Sequence, residues 1–237
     1  MPASVVRAPS VITFGVMARA PIAGKCKTRL ARTLGDVRAA RLYQAMLLDT
    51  LELLALGVAP LLPPVVRLVV LAAPEHDGVN ALLELVPASW EVVPQRGPDL
   101  GARLSNALVD LATDGHLVCL VDSDSPTLPR EAFRPLAAPR AENGVVVGPC
   151  DDGGYYLIAA SRPEPRLFDD VPWSTPRVMD ATREACRRLN LPLDELRSWY
   201  DVDAPEDVDR LAAELATDAS LAPRTAAVLS AVLGGSA

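Results

Sequence analysis

The stretch V-I-T-F-G-V-M-A-R-A-P-I-A-G-K-C-K-T-R, residues 11–29, changes character near its middle. Its first part, Val11–Ala18, is almost wholly apolar and rich in β-branched residues, which is typical of a strand buried on both faces of a parallel sheet. A basic loop containing Pro21 and Gly24 follows directly. Because ligands of open α/β sheets bind beyond the carboxyl ends of strands, this loop is the first place to look for a site.

Similar apolar runs recur along the chain with helical patterns between them. We predict further strands at 65–72, 90–93, 117–121 and 145–148. A helix is predicted over 36–56, with Asp36 as its N-cap, and another over 100–112. Alternation of strands and helices implies right-handed crossovers and an α/β fold, a three-layer α/β/α sandwich with a mostly parallel, Rossmann-like central sheet.

The pattern changes after Gly148. Asp151-Asp152-Gly153-Gly154 joins two apolar runs and predicts a hairpin turn. Ser174 is then predicted to cap a helix that ends near Leu189, and two more helices begin at Pro205 and near Ala222. We predict one domain over 1–237, in which 149–237 form the acceptor-side or lid portion.

Composition limits the classes of function. The chain has 237 residues and a mass of 25.2 kDa, with a net charge of −7 and a pI near 4.9. Binding to nucleic acid or to an anionic membrane needs a basic field, so neither is expected. No run reaches the length of a membrane span, and Val11–Ala18 is interpreted as a strand, not a signal peptide. The four cysteines form no C-x-x-C pair, which favours reduced thiols in the cytoplasm.

The loop from Arg19 to Arg32 holds five basic residues and no acidic one. Lys25 and Lys27 are the only lysines among 23 basic residues of the chain. A compact ammonium group suits phosphate oxygens, and Gly24 allows close approach of a ligand to the backbone. The loop therefore predicts phosphate binding, although a solvated basic turn would look alike. Cys26 stands where a Walker A loop needs Ser or Thr, so a P-loop is excluded.

A pair of carboxylates follows the apolar run 117–121. Residues i and i+2 of an extended chain point the same way, so Asp122 and Asp124 could face one cation together. Mg²⁺ or Mn²⁺ would neutralise two such carboxylates and bridge them to substrate phosphates. The alternative is an Asx or ST turn that only ends the strand.

A second acidic set, residues 201–207, precedes the helix near 205. Asp203 is predicted as its N-cap and Glu206 as its capping-box partner. Either Asp201 or Asp203 could instead complete the metal site, and the sequence leaves this open.

Seven ordered motifs, spread over about residues 11–210, together resemble a known family. They are M-A-R-A-P-I-A-G-K-C-K-T-R-L (17–30), L-Y-Q-A-M-L-L-D-T (42–50), D-L-G-A-R (99–103), D-S-D-S-P-T-L (122–128), G-P-C-D-D-G-G-Y-Y-L (148–157), V-P-W-S-T (171–175) and D-V-D-A-P-E-D (201–207). The chain resembles the DUF2064 family of GT-A-fold transferases, the transferase 1, rSAM/selenodomain-associated group. The first two motifs are also similar to 2-phospho-lactate guanylyltransferase.

The resemblance implies a GT-A-like, nucleotide-diphospho-sugar transferase fold and a role for several positions. Asp122 and Asp124 match the metal-binding D-x-D motif. Arg19, Gly24, Lys25, Lys27 and Arg29 fall in the anion-binding loop. Gly101 and Arg103 match a segment near the nucleotide, and Asp152 would face the acceptor or sugar. Cys150-Asp151 departs from the small or acidic residues that other members often carry there.

Two catalytic hypotheses and one non-catalytic hypothesis follow. In the first, the chain is a metal-dependent glycosyltransferase with a nucleotide-diphospho-sugar donor, in which Lys27 and Arg29 stabilise the leaving group and Asp152 is the base. In the second, it transfers a nucleotide from an NTP to a small phosphorylated or phosphonate-type acceptor and releases pyrophosphate. In the third, it binds nucleotide without turnover.

The remaining assignments concern the acceptor side and the partners. Gly153, Gly154, Tyr155 and Trp173 are acceptor-side candidates, but the aromatic residues could equally serve as core packing. The expected partners are a nucleotide or nucleotide-sugar and a small-molecule acceptor. The sequence does not determine the oligomeric state, a homodimer being one option.

Overall fold

This computed structural model describes residues 6–63 and 65–234, which contain nine strands and seven α-helices. The strands are β1 Val6–Arg7, β2 Val11–Ala18, β3 Val65–Ala72, β4 Glu91–Pro94, β5 His116–Val121, β6 Arg140–Ala141, β7 Val145–Pro149, β8 Tyr155–Ala160 and β9 Leu193–Glu195. The helices are α1 Thr28–Leu34, α2 Asp36–Glu52, α3 Gly78–Leu85, α4 Leu100–Leu111, α5 Val178–Leu189, α6 Pro205–Thr217 and α7 Pro223–Gly234. All five predicted strands are confirmed.

Seven of these strands form one sheet in the order β4-β3-β2-β5-β8-β7-β9. β4, β3, β2 and β5 are mutually parallel, and β8 runs antiparallel to both of its neighbours. The sheet is therefore mostly parallel, as predicted. The chain winds outward from β2 through β3 to β4 and then returns to β5 on the other side of β2. The carboxyl ends of β2 and β5 thus flank the point where ligands of such sheets bind.

Helices cover both faces of the sheet. Side chains alternate between the two faces along each strand, and because both sets are apolar, both faces have to be buried. Leu117 and Cys119 of β5 belong to a core cluster that includes Leu51 of α2. Val118 and Leu120 belong to a second cluster on the opposite face, which includes residues of α4 and α5. This arrangement confirms the α/β/α sandwich.

The longest helical stretch, Asp36–Leu61, joins α2 to a π-helical turn, Leu53–Val58, and a short 3₁₀ turn. It is long and apolar enough to cross a membrane, but 56% of its apolar window is buried inside the protein. Its fully buried side chains include Leu42 and Leu47. It therefore behaves as a core helix.

Three predicted helix caps are wrong. Gly35, and not Asp36, is the N-cap of α2. The helix predicted from Ser174 begins only at Val178, since a residue before proline, here Thr175, avoids the helical region. Ala204 is the N-cap of α6, and the carboxylate that accepts from its backbone N–H belongs to Asp207 in place of Glu206. Asp203 consequently keeps its carboxylate free of a capping role.

The C-terminal portion shares the main sheet. The predicted hairpin turn at 151–154 joins β7 to the antiparallel β8, and β9 pairs with β7. That 149–237 form an acceptor-side or lid portion stays a prediction. The four cysteines are all buried and free of disulfide bonds.

Candidate active site

The loop after β2 and the turn after β5 meet at one open cavity of about 440 Å³. Parallel pairing of β2 with β5 brings the two carboxyl ends side by side, so the position follows from the sheet order. Six residues singled out from the sequence line this cavity: Arg19, Lys25, Lys27, Arg29, Asp124 and Asp203. The basic loop and the acidic turn therefore share one crevice.

Lys27 lies between two of the predicted metal ligands. Its ammonium group donates to the carboxylates of both Asp124 and Asp203, and its side chain is only 6% exposed. Burial alone would lower the pKa of Lys27, but the two carboxylates offset that effect and hold the pKa above its ordinary value. Lys27 is thus the counter-ion of both carboxylates, and its binding to phosphate stays a prediction.

Three other cations that line the cavity have no such partner among the described residues. Arg19, Lys25 and Arg29 are exposed, and within residues 6–63 and 65–234 none of them forms an ion pair. Gly24 shapes the turn before Lys25 with a φ of 75°, a conformation that favours glycine. The cavity is thus lined by three exposed cations without an ion pair among the described residues and by Lys27, whose charge is neutralised by two carboxylates.

Tyr43 links the two loops. The backbone N–H of Arg19 donates to its hydroxyl at 3.0 Å, and the same hydroxyl lies 2.9 Å from Oγ of Ser123. Tyr43 and Ser123 are both buried. Sequence reasoning assigned neither of them a role, although Tyr43 lies in the L-Y-Q motif and Ser123 between the two aspartates of the D-S-D turn.

A surplus of carboxylates lies behind the Lys27 ion pairs. Asp122 accepts from Oγ of Ser125 at 2.6 Å, while its other oxygen is buried without a hydrogen-bond partner among the described residues. Burial and the charge of Asp124 raise the pKa of Asp122. Burial, with the charges of Asp124 and Asp152, raises the pKa of Asp201 to about 7.

This donor set fits a divalent cation. Hard cations such as Mg²⁺ and Mn²⁺ take oxygen ligands from carboxylates, and the cost of crowding several carboxylates falls when a cation binds. The predicted ligands are not equivalent, however. Asp124 and Asp203 face the cavity, whereas Asp122 does not line it, because the chain turns after β5 and no longer alternates as a strand would.

Other predicted positions lie outside this cavity lining. Arg103 forms an ion pair with Glu75 and donates to the carbonyl of Gly97. Gly101 packs against the indole of Trp173, where an added Cβ would come within 2.7 Å of its nitrogen. Trp173 also meets Tyr155 edge to face. The aromatic pair therefore packs beside α4.

Asp152 and its glycines form the turn between β7 and β8. The Asp152 carboxylate is exposed and accepts from the N–H of Gly154 at 2.8 Å. Gly153 has a φ of 89° and lies against the backbone of Pro176, so it has no room for a side chain. The role of Asp152 toward an acceptor stays a prediction.

Residues 61–175 match the family model DUF2064, described as an uncharacterized protein conserved in bacteria, which confirms the resemblance seen in the motifs. A crystal structure of a protein from Desulfovibrio desulfuricans G20, assigned as a nucleotide-diphospho-sugar transferase, is 28% identical. The match covers 94% of this chain and 96% of that chain, with a TM-score of 0.79. No curated protein matches the sequence.

Two further solved structures share the fold at lower identity. The inositol-1-phosphate CTP transferase from T. maritima is 14% identical over 98% of this chain and 100% of that chain, with a TM-score of 0.52. The 4-diphosphocytidyl-2C-methyl-D-erythritol synthase from Anaerococcus prevotii DSM 20548 is 15% identical. The match covers 87% of this chain and 96% of that chain, with a TM-score of 0.53. These comparisons confirm the GT-A-like fold class and support an enzyme of the GT-A and nucleotidyltransferase kind.

Proposed function

We propose that this chain is a divalent-metal-dependent glycosyltransferase that uses a nucleotide-diphospho-sugar donor and a small-molecule acceptor. One observation carries the proposal. Three cations that form no ion pair among the described residues, Arg19, Lys25 and Arg29, share a cavity with the carboxylates of Asp124 and Asp203. Such a cavity suits a diphosphate, whose oxygens accept from the cations on one side and face a carboxylate-bound cation on the other. The 28% identical solved structure supports the donor class.

Asp124 and Asp203 are the residues that would hold Mg²⁺ or Mn²⁺, with Asp122 behind them as a further carboxylate. The bound cation would supply Lewis-acid stabilisation of negative charge on the phosphates. To make room for a cation there, Lys27 would release at least one of its two carboxylate contacts. A phosphate oxygen beside Lys27 would then be its natural new partner.

The basic loop would act mainly on the leaving group. As the bond between sugar and diphosphate breaks, negative charge grows on the nucleoside diphosphate. Lys25, Lys27 and Arg29 are placed to stabilise that charge, and donors fixed before the reaction are worth most where charge develops. Asp152 is proposed to accept the proton of the acceptor hydroxyl. The two histidines, His76 and His116, do not line the cavity.

The second candidate is nucleotidyl transfer from an NTP to a phosphorylated or phosphonate-type acceptor. The same three unpaired cations favour it, because a departing pyrophosphate carries more charge than the phosphates of a nucleotide-sugar. Cytidylyltransferases among the solved structures share the fold.

The experiment begins with thermal unfolding of the full chain against NTPs, NDPs and NDP-sugars, with and without Mn²⁺. A ligand of the folded state raises the melting temperature by mass action. Ligands that stabilise the chain are then incubated with enzyme and their products identified. Release of a nucleoside diphosphate supports glycosyl transfer, release of pyrophosphate supports nucleotidyl transfer, and stabilisation without turnover or metal dependence supports a non-catalytic binding protein. Absence of any nucleotide-dependent shift would overturn all three.

A further inference from the structure

A cysteine and two aspartates converge beside the crevice, at the end of β7. Cys150 and Trp199 pair through an isolated parallel β-bridge of the backbone. The N–H of Asp151 donates to the carbonyl of Trp199 at 2.9 Å. This pairing brings Asp201 alongside the turn that carries Asp152. The sulfur of Cys150 and one oxygen from each of these two carboxylates lie within 4.8 Å of one another.

The thiol itself is the unusual member of this group. Cys150 is 8% exposed, and its sulfur has no hydrogen-bond partner among the described residues, whereas the thiol of Cys26 donates to a backbone carbonyl. Burial and the charges of Asp122, Asp201 and Asp152 all raise the pKa of Cys150. A structural cysteine normally packs among apolar groups. Cys150 belongs to the core cluster that contains Leu51, but its sulfur also faces the carboxylates of Asp152 and Asp201.

We propose that Cys150, Asp152 and Asp201 form a binding site for a thiophilic divalent cation of the Zn²⁺ class. Sulfur is a soft ligand that Zn²⁺ and Co²⁺ accept and Mg²⁺ does not, while carboxylate oxygens suit the same cations. The thiol loses its proton to the solvent when the cation binds. Three protein ligands leave the fourth tetrahedral position open.

The geometry needs only small adjustments. Zinc binds sulfur at about 2.3 Å and oxygen at about 2.0 Å, so its ligand atoms stand roughly 3.5 Å apart. Asp152 is exposed, and rotation of its side chain can close the remaining gap. This site shares no ligand with the Asp124 and Asp203 position and does not depend on the proposed reaction. Because a carboxylate that holds a cation is a poor base, a confirmed site would remove Asp152 from the acceptor-activating role proposed above.

The test uses the full chain and Co²⁺, which reports thiolate coordination by a charge-transfer band in the near ultraviolet. We expect the wild type to develop this band at one equivalent of Co²⁺, and Zn²⁺ to abolish it. Cys150→Ser should lose the band. Cys186→Ser, which alters another buried cysteine on α5, and Cys26→Ser, beside the cavity, should keep it. A wild type without the band, or a band that survives in Cys150→Ser, overturns the proposal.

Two further measurements test the site without the Cys150→Ser variant, in case that variant does not fold. Asp152→Asn should weaken Co²⁺ binding at least tenfold, whereas Asp151→Asn, an exposed neighbour paired with Arg210, should leave it unchanged. In the wild type, Zn²⁺ should slow alkylation of Cys150, measured by mass spectrometry. Equal losses in the two aspartate variants, or no protection of Cys150, would contradict the site. None of these readouts requires nucleotide turnover, so they fail or succeed separately from the proposed function.

Discussion

Lys27 and Asp203 stand 176 positions apart in the chain, yet the ammonium of the one donates to the carboxylate of the other. The same ammonium donates to Asp124. Lys27 therefore occupies the place between two carboxylates that a divalent cation would take. This relationship couples the basic loop to the acidic turn. It would make Lys27 and the proposed cation competitors for the same carboxylate oxygens.

Replacing Lys27 by methionine should expose that competition. Lys27→Met keeps the length of the side chain but leaves the two carboxylates without a counter-ion, so we expect a loss of about 2 kcal/mol in the free energy of unfolding in EDTA. Mn²⁺ should restore much of this loss and should bind more tightly than to the wild type, measured by calorimetry without nucleotide.

Lys25→Met is the matched control, because Lys25 is exposed and forms no ion pair within the described residues. It should change stability and Mn²⁺ affinity little while lowering nucleotide affinity. Unchanged Mn²⁺ binding in Lys27→Met would show that lysine and cation do not share the carboxylates.

Asp124→Ala tests the metal role directly. Losing a carboxylate that stabilises a cation at the phosphates should lower the transfer rate on the order of 10²-fold or more. The measurement is the initial rate with the donor identified by thermal unfolding, at saturating Mn²⁺. Glu84→Ala, an exposed carboxylate on α3, serves as the comparison. A near-normal rate in Asp124→Ala would dismiss the role of this residue.

Tyr43→Phe tests the link between the two loops. The change removes one hydroxyl that contacts Ser123 Oγ and the N–H of Arg19, so stability should fall by about 1 kcal/mol. The hydroxyl holds the loop that begins at Arg19 and is not proposed to contact the reacting groups. We therefore expect a several-fold rise in the KM for nucleotide and a smaller fall in kcat.

Tyr200→Phe provides a control of the same chemistry. Its buried hydroxyl contacts Glu214 and Thr127, away from the cavity. Both variants should lose stability, but only Tyr43→Phe should bind nucleotide more weakly. An equal change of nucleotide affinity in both would reduce Tyr43 to a general packing role.

The sequence predicted what depends on local pattern. Continuous β-branched runs gave the strands, and sheet order then forced the loop after Val11–Ala18 to meet the turn after His116–Val121. Helix caps were mistaken at Asp36, Ser174 and Asp203, because sequence rules favour a polar side chain at the N-cap. The three helices instead begin after Gly35, Arg177 and Ala204, none of which caps its helix with a side-chain hydrogen bond.

The side-chain partners that meet across the crevice could not be predicted from the sequence. Nothing local distinguishes Lys27, which is buried between carboxylates, from Lys25, which is exposed two residues earlier. Tyr43 and Cys150 likewise gain their surroundings from segments far along the chain. A lysine next to a phosphate and a lysine next to two carboxylates look the same until those carboxylates are placed.

Asp49 offers a test of how the C-terminal helix is held in place. This buried residue of α2 accepts from the N–H and the hydroxyl of Thr225, each at 2.8 Å, and from the guanidinium of Arg224 at 3.1 Å. Asp49→Ala would leave the two donors of the buried Thr225 unpaired, whereas Arg224 would keep its contact with Glu52. Hydrogen bonds to a charged group are among the stronger ones.

We expect Asp49→Ala to lower the free energy of unfolding by about 3 kcal/mol, measured by urea denaturation. Glu52→Ala is its control, because Glu52 pairs with the same Arg224 at the surface, where an ion pair is worth less than about 1 kcal/mol. Proteolysis between α6 and α7 should accelerate in Asp49→Ala only, since the start of α7 loses its attachment to α2. If both variants lose the same stability, Arg224 and not the buried carboxylate anchors the helix.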